Sequence, residues 1–284
     1  MDDSTIFIVG AKGQLGLALQ AKYPNAKSAD INELDITDAD SVNSFDWSNT
    51  KVILNAAAYT NVDGAETSEG RIAAWNVNAS AVANLTKAAL EHDLTLVHIS
   101  TDYVFDGTKT PHTETEKFCP LSVYGQTKAA GDLVVSLLPK HYVVRTSWVI
   151  GEGKNFVRTM LTVAQKGIDP SVVSDQVGRL TFTSELVRAI DHLLSTQAPY
   201  GTYNVSNSGE PASWANITRK IFEYAGYQNT VTDVTTAKYY EGKDGIAPRP
   251  LGSELDLSKI QATGFTPNSW TDELSKYIDK ELQK

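Results

Sequence analysis

The chain has 284 residues, 41% hydrophobic and 21% charged, a composition that supports a packed globular core and excludes a disordered chain. Its formal net charge of −9 argues against a nucleic-acid partner, whose binders carry basic faces, and the single cysteine, Cys119, excludes an internal disulfide or a multi-cysteine metal site. No apolar run approaches the roughly 18 residues of a membrane helix, and the acidic start "MDDSTIFIVG" is no secretory signal, so the expectation is a cytoplasmic protein with no membrane partner.

Apolar stretches and helical patterns alternate from the start. "TIFIVG" predicts a buried strand, and "QLGLALQAKY" a helix after the glycines. "AKSADI" is a short second strand, and "ITDADSVNSF" opens a helix capped by Thr37 or Asp38. "KVILNAAAY" predicts the third strand, residues 67–91 one alanine-rich helix, and "TLVHIS" the fourth strand. "SVYGQTKAAGDLVVSLL" is a helix and "YVVRTSW" a fifth strand. Apolar strands alternating with helices imply a doubly wound α/β domain, a Rossmann-like parallel sheet covered on both faces.

The rhythm changes near residue 150. "NFVRTMLTVAQKG", "TSELVRAIDHLLST" and "SWANITRKIFEYAG" predict helices, "GTYNVSN" a strand, and 270–282 a closing helix after a loop-rich 230–258. The expected organisation is a dinucleotide-binding domain over 1–150, with a returning segment around 170–200, and a smaller C-terminal α/β substrate lobe over 151–284. That lobe would lie at the sheet edge where ligands bind in open α/β folds.

Two features carry chemistry. In "VGAKGQLG", Gly10, Gly13 and Gly16 follow the first strand and enter a helix, spaced G-x-x-G-x-x-G instead of G-x-G-x-x-G. Such glycines let backbone approach a pyrophosphate at a helix N-terminus, so Gly10, Gly13, Gln14, Leu15 and Gly16 are candidate cofactor residues. Asp30, after the second strand, would accept hydrogen bonds from an adenosine ribose; it also reads as a plain strand-end acid. Asp35 and Ile36 are candidates for the adenine pocket. Small residues in "NAAAYT" place Ala57, Ala58 and Tyr59 along a flat cofactor, although close packing explains the alanines equally well.

Tyr124 and Lys128 stand four apart on one predicted helix and therefore share a face, and Thr101 ends the fourth strand. A nearby ammonium lowers a tyrosine pKa from about 10 toward neutrality, making it a general acid or base. Lys128 can also fix a nicotinamide ribose. A plain amphipathic helix would produce such a pair as well, but not together with the glycine loop and a hydroxyl at a strand end.

On these residues the chain resembles the extended short-chain dehydrogenase/reductase family. Eight segments in order ("GQLG", "NAAAYTNVD", "ISTDYVFDG", "PLSVYGQTKAAGD", "RTSWVIG", "KNFVRTML", "SDQVGRLT", "RPLGSELD") resemble its dTDP-4-dehydrorhamnose reductase branch. The resemblance implies reduction of the C4 keto group of dTDP-4-dehydro-L-rhamnose with NADPH or NADH, with Thr101, Tyr124 and Lys128 as the catalytic set. It also implies a nucleotide-sugar substrate contacted by Thr101, Asp102, Trp148, Arg249, Ser253 and the 175–181 segment. Each has a structural alternative: Asp102 as a strand-end cap, Trp148 as core between lobes, Arg249 paired with an acid such as Asp244. Two departures stand out. Arg179 and Leu180 replace the usual small residue and proline, and Ala18 stands where some members carry a glutamate tied to a metal-linked dimer. No metal is therefore expected, and the chain is expected as a monomer or weak homodimer. Rival readings are a nucleotide-sugar dehydratase, kept alive by Asp102, a nucleotide-sugar epimerase, which would retain its cofactor tightly, and a non-catalytic subunit resembling the regulatory subunits of methionine adenosyltransferase.

Overall fold

The apolar run IFIV forms β1 (Ile6–Val9), buried along its whole length, in a computed structural model that describes residues 2–283. Residues 1 and 284, the outer bounds of the two expected lobes, lie outside the described residues. The strands β2 (Lys27–Ala29), β3 (Val52–Asn55), β4 (Thr95–Thr101), β5 (His141–Thr146) and β6 (Gly201–Asn204) join β1 in one sheet of order β6-β5-β4-β3-β1-β2. Every pairing in it is parallel. The helices in chain order are α1 (Gln14–Lys22), α2 (Ala39–Ser44), α3 (Ser68–Trp75), α4 (Ala81–Glu91), α5 (Val123–Val135), α6 (Phe156–Gln165), α7 (Thr183–Ser195), α8 (Trp214–Ala225), α9 (Thr236–Tyr240), α10 (Ser258–Gln261) and α11 (Trp270–Leu282).

Successive β1 side chains point to opposite faces, and each face has its own core. Ile6 and Ile8 pack with Leu19 of α1 and Leu186 and Ile190 of α7. Phe7 and Val9 pack with Val42 of α2 and Leu85 of α4 on the other side. A third core, built from Val157 of α6, Ile217 and Phe222 of α8 and Leu274 of α11, forms the C-terminal part. The doubly wound α/β fold expected from the alternation is the observed one.

Local details differ from the sequence reading. The strand expected with the C-terminal part, β6, instead extends the central sheet beyond β5, pairing Tyr203 with Val144. Tyr203 and Val205 bury against that sheet's own core, which draws the strand there. The helix expected over 67–91 is interrupted by a π-helical turn at Asn76–Ser80 between α3 and α4. Of the two candidate caps of α2, Asp38 is the one used: its carboxylate accepts the Asp40 N–H at 3.0 Å. Because β1 has β2 on one side and β3 on the other, the strand order reverses there. A crevice opens above the C-terminal ends of β1 and β3.

Candidate active site

The glycine loop fills one end of that crevice. Gly10 sits at φ +77°, and a Cβ there would meet the Ala57 backbone nitrogen at 2.6 Å; one at Gly16 would meet the Gly10 carbonyl oxygen at 2.1 Å. These two glycines let the loop, β3 and α1 close on one another. Gly13 is different: a Cβ would come no nearer than 3.4 Å to protein, its open side faces the cleft, and it caps α1 with no side-chain acceptor. The first-turn N–H groups of α1 are thus left for an anion.

Beside the loop lies a cavity of about 320 Å³ lined by Gly10, Gly13, Asp30, Asp35, Ile36, Ala57 and Ala58 among others. Asp30 accepts the Lys12 N–H at 3.0 Å and the Ile31 N–H at 2.9 Å. The Ile31 and Lys12 amides hold its carboxyl below the ordinary range, so it faces the cavity as an anion. Tyr59 is not brought to this wall. Its backbone N–H and carbonyl are clamped by Asn78, and its ring packs beside Ala65, Ala74 and Val123.

Past Gly13 a second cavity, about 440 Å³, is lined by Gln14, Leu15, Thr101, Asp102, Tyr103, Tyr124, Lys128 and Trp148 among others. The three residues of the expected catalytic set therefore face one space, together with the start of α1. Thr101 ends β4, donating to Asp102 Oδ1 at 3.0 Å and accepting the Tyr103 N–H at 3.2 Å. Burial pushes the Asp102 carboxyl up to about 6, against hydrogen bonding from Ser253 and Thr101. Its other oxygen, Oδ2, is buried without a partner, as is Gln14 Oε1 in the same wall. Unpaired buried acceptors in a cavity suit a ligand that brings donors.

The electrostatics of Tyr124 run opposite to the sequence expectation. Burial raises its hydroxyl well above the ordinary tyrosine value, the neighbouring Thr101 hydroxyl opposes this, and the charges of Asp102 and Asp132 add to it. Lys128 is buried, and its Nζ donates to the Ile99 carbonyl at 2.6 Å. Burial lowers the lysine to about 8, against the charge of Asp132. In this arrangement Tyr124 stands as a neutral acid.

Tyr103 also belongs to a third cleft, about 510 Å³, with Phe156, Met160, Gln176, Trp214, Tyr239, Tyr240 and Arg249. Trp148, at φ +47°, stacks on Trp214 with ring centroids 3.8 Å apart and so bridges the two spaces. Arg249 binds both carboxylate oxygens of Asp63, at 2.8 and 2.9 Å, and lies 5.0 Å over the Tyr240 ring. Burial works against the Asp63 charge, but Arg249 and the Ala247 N–H outweigh it. The pairing with Asp244 considered from sequence is replaced by one to Asp63, on the loop that follows β3.

The RmlD substrate binding domain family matches residues 4–283 of this chain. A dTDP-4-dehydrorhamnose reductase of Aggregatibacter actinomycetemcomitans is 40% identical, covering 93% of this chain and 95% of the relative. The crystal structure of a dTDP-4-dehydrorhamnose reductase from Clostridium acetobutylicum superposes with a TM-score of 0.90 at 38% identity, covering 98% of this chain and 99% of that one. One from Bacillus anthracis, solved in complex with NADP, gives 0.88 at 36% identity over 97% of both chains. The chain belongs to the dTDP-4-dehydrorhamnose reductase family.

Against that family background, the departures at 179 and 180 have a structural account. Arg179 turns away from the clefts to donate to the Gly209 carbonyl at 2.7 Å, the Leu255 carbonyl at 3.1 Å and the Glu254 carboxylate, while Leu180 is fully buried in the C-terminal core. Of the 175–181 segment, Gln176 is the residue that reaches cleft wall. Ser253 is not on a wall; it is buried beside Asp102. Among the described residues no three histidine, cysteine or acidic side chains group as a metal site, and no helix is long and apolar enough to cross a membrane. Sequence reasoning missed the aromatic cleft walls, Asp63 and His98. Only His98 left a sequence signal, as a histidine inside the apolar run "TLVHIS".

Proposed function

We propose that this protein reduces the C4 keto group of dTDP-4-dehydro-L-rhamnose to give dTDP-L-rhamnose. The observation that carries this reading is a single cavity shared by Thr101, Tyr124 and Lys128 with Gly13 and Gln14 of the phosphate loop. A bound reduced nicotinamide dinucleotide would supply a hydride to the C4 carbon. Gly10, Gly13, Gln14, Leu15 and the α1 N-terminus would hold its pyrophosphate, and Asp30, Asp35, Ile36, Ala57 and Ala58 its adenosine end. Tyr124, kept neutral by burial, donates its proton to the carbonyl oxygen as the C–O bond becomes an alcohol. Thr101 polarises that oxygen, and Lys128, one turn along α5, stabilises the phenolate left behind. Asp102 Oδ2 is free to accept from a sugar hydroxyl, with Trp148 against the ring.

The reading divides the work between a cofactor domain over 1–150, completed by the returning chain around 170–200, and a substrate lobe over 151–284. It places the enzyme in the cytoplasm as a monomer or weak homodimer. The decisive assay follows absorbance at the reduced-nicotinamide band with dTDP-4-keto-6-deoxy-L-mannose. Turnover is expected with both cofactors, because the ionised Asp30 disfavours a 2′-phosphate while the related Bacillus anthracis structure holds NADP. Values of kcat/KM for NADH and NADPH should lie within about a hundredfold of each other. No oxidation of either cofactor would overturn the reading.

Arg249 is assigned to the substrate diphosphate, since its planar fork can donate paired hydrogen bonds. Such a contact is equal in ground and transition states. Arg249→Ala should therefore raise KM for the nucleotide sugar about tenfold to a hundredfold, as loss of a charged hydrogen bond worth roughly 1.5–3 kcal/mol implies, and leave kcat little changed. Weaker cofactor binding with an unaltered sugar KM would refute the assignment.

A further inference from the structure

The turn between β3 and α3 carries two carboxylates that the reduction itself does not call on, and they reach in different directions. Asp63 accepts the Ala247 N–H through Oδ1 at 3.1 Å, and both of its oxygens accept from Nη2 of Arg249. Nη1 of the same arginine donates to the Ala247 carbonyl at 2.8 Å, which closes a ring of hydrogen bonds through the guanidinium. Three residues on, Glu66 Oε1 accepts the N–H of Val123 at 2.9 Å; Val123 is the first residue of α5 and precedes Tyr124. One short turn therefore grips both the arginine assigned to the diphosphate and the helix start that carries the assigned proton donor.

The turn is stiff. Gly64 leaves no room for a side chain, since a Cβ there would overlap the Asn61 carboxamide, and one on Gly70 of α3 would overlap the Gly64 carbonyl. Asn61 Oδ1 accepts the Gly64 N–H at 3.0 Å. Ala65 is wholly buried with Ala74 and Val123, and Tyr59 and Tyr124 pack against that cluster. Surroundings packed this closely pass a displacement on instead of absorbing it.

We propose that Asp63 is a positioning residue for Arg249 and that Glu66 ties the same turn to α5, so that the turn fixes the spacing between the diphosphate-binding cation and Tyr124. The proposal rests on the assignment of Arg249 to the substrate diphosphate. Arg249 lines one cleft and Tyr124 the cavity beside it, with Tyr103 common to both. A substrate held at its phosphate end meets the proton donor correctly only if those two groups keep one separation. One effect works against this. Asp63 has the same sign of charge as a diphosphate and repels it. Its side chain is 41% exposed, against 15% for Arg249, and it does not line the cleft, so water and the guanidinium screen it. Arg249 Nε makes no hydrogen bond among the described residues and is left for the ligand. Orientation therefore outweighs repulsion.

Calorimetric titration of the full chain with dTDP tests this without turnover. Asp63→Ala should weaken dTDP binding about fivefold to twentyfold, and the same substitution in an Arg249→Ala background should change it by less than about twofold, because no arginine remains to be positioned. Glu66→Ala should weaken dTDP binding about threefold, whereas Glu66→Gln should restore it, since an amide oxygen also accepts the Val123 N–H. NADPH affinity should stay unchanged throughout, which also shows that the variants are folded. An equal loss with and without Arg249, tighter dTDP binding on removal of Asp63, or a parallel loss of NADPH affinity would overturn the positioning role. Equal dTDP affinity in the two Glu66 variants would overturn the tie to α5. An unaltered protein that binds no dTDP would reject the diphosphate assignment and this proposal with it, whereas dTDP binding with an additive cycle would reject this proposal alone.

Discussion

Tyr124→Phe is expected to lower kcat by about 10²–10⁴-fold, the range that a positioned general acid contributes. The substitution removes one oxygen and keeps the ring, which packs edge-on to Tyr103 with centroids 5.5 Å apart and lies against Ala65, Ala74 and Val123. The fold and the shape of the cavity should therefore survive. KM for the nucleotide sugar should change by less than about threefold, because the lost interaction belongs to the transition state. A variant keeping more than half of the wild-type kcat would remove Tyr124 from the chemistry.

The same residue limits what pH can do. Burial, together with the negative fields of Asp102 and Asp132, holds the phenol protonated well above its ordinary value. The proton to be donated is therefore present throughout the neutral and mildly alkaline range. That reverses the sequence argument, in which Lys128 was to draw the tyrosine down. Here the lysine Nζ donates to the Ile99 carbonyl, and burial dominates the tyrosine. Spacing alone predicted that the two side chains share a helix face; it carried no information about desolvation, which depends on what the rest of the chain covers.

Similar physics separates the legible from the illegible elsewhere. The glycine loop, the first five sheet strands and the meeting of Thr101, Tyr124 and Lys128 in one cavity could be read because each depends on local pattern: apolar runs, turn residues, an i to i+4 pair. The position of β6 could not be read, since its partner β5 ends more than fifty residues earlier and its pairing is set by which core buries Tyr203. The π-helical turn at Asn76–Ser80 holds no proline or glycine that would mark it in the sequence. Its buried Asn78 clamps both backbone groups of Tyr59 and donates to Thr127, a satisfaction of distant polar groups that periodicity does not encode. Arg249 was offered the sequence-near Asp244 and took Asp63, 186 positions away, because the fold lays the loop after β3 against the C-terminal segment. Local chemistry singled out the candidate residues, and long-range packing decided whom they touch.

The buried pair behind the site should make the largest difference to stability. Arg145, 4% exposed, donates from Nε to Asp132 Oδ2 at 2.9 Å, and Asp132 is 2% exposed. Nη1 reaches the Glu114 carbonyl at 3.1 Å, and the guanidinium lies 5.4 Å from the Phe105 ring and 4.9 Å from the Phe118 ring. Arg145→Met fills much of the same space but leaves the aspartate without its hydrogen-bonded cation, a change that costs about 3–5 kcal/mol when both partners are buried. Burial already raises the Asp132 carboxyl, with Arg145 the main opposing influence. Without the arginine it rises further, so the folded state of the variant holds its proton more tightly than the unfolded chain. The deficit should then be largest at neutral pH and above, and shrink as pH falls through the folded-state value. Urea unfolding at neutral and at mildly acidic pH measures both the loss and its direction. The double variant Arg145→Met with Asp132→Leu should recover most of the loss, because it removes the stranded charge along with its partner. A single-variant loss under about 1 kcal/mol, or a double variant no more stable than the single, would mean that the pair does not act as a buried charge couple.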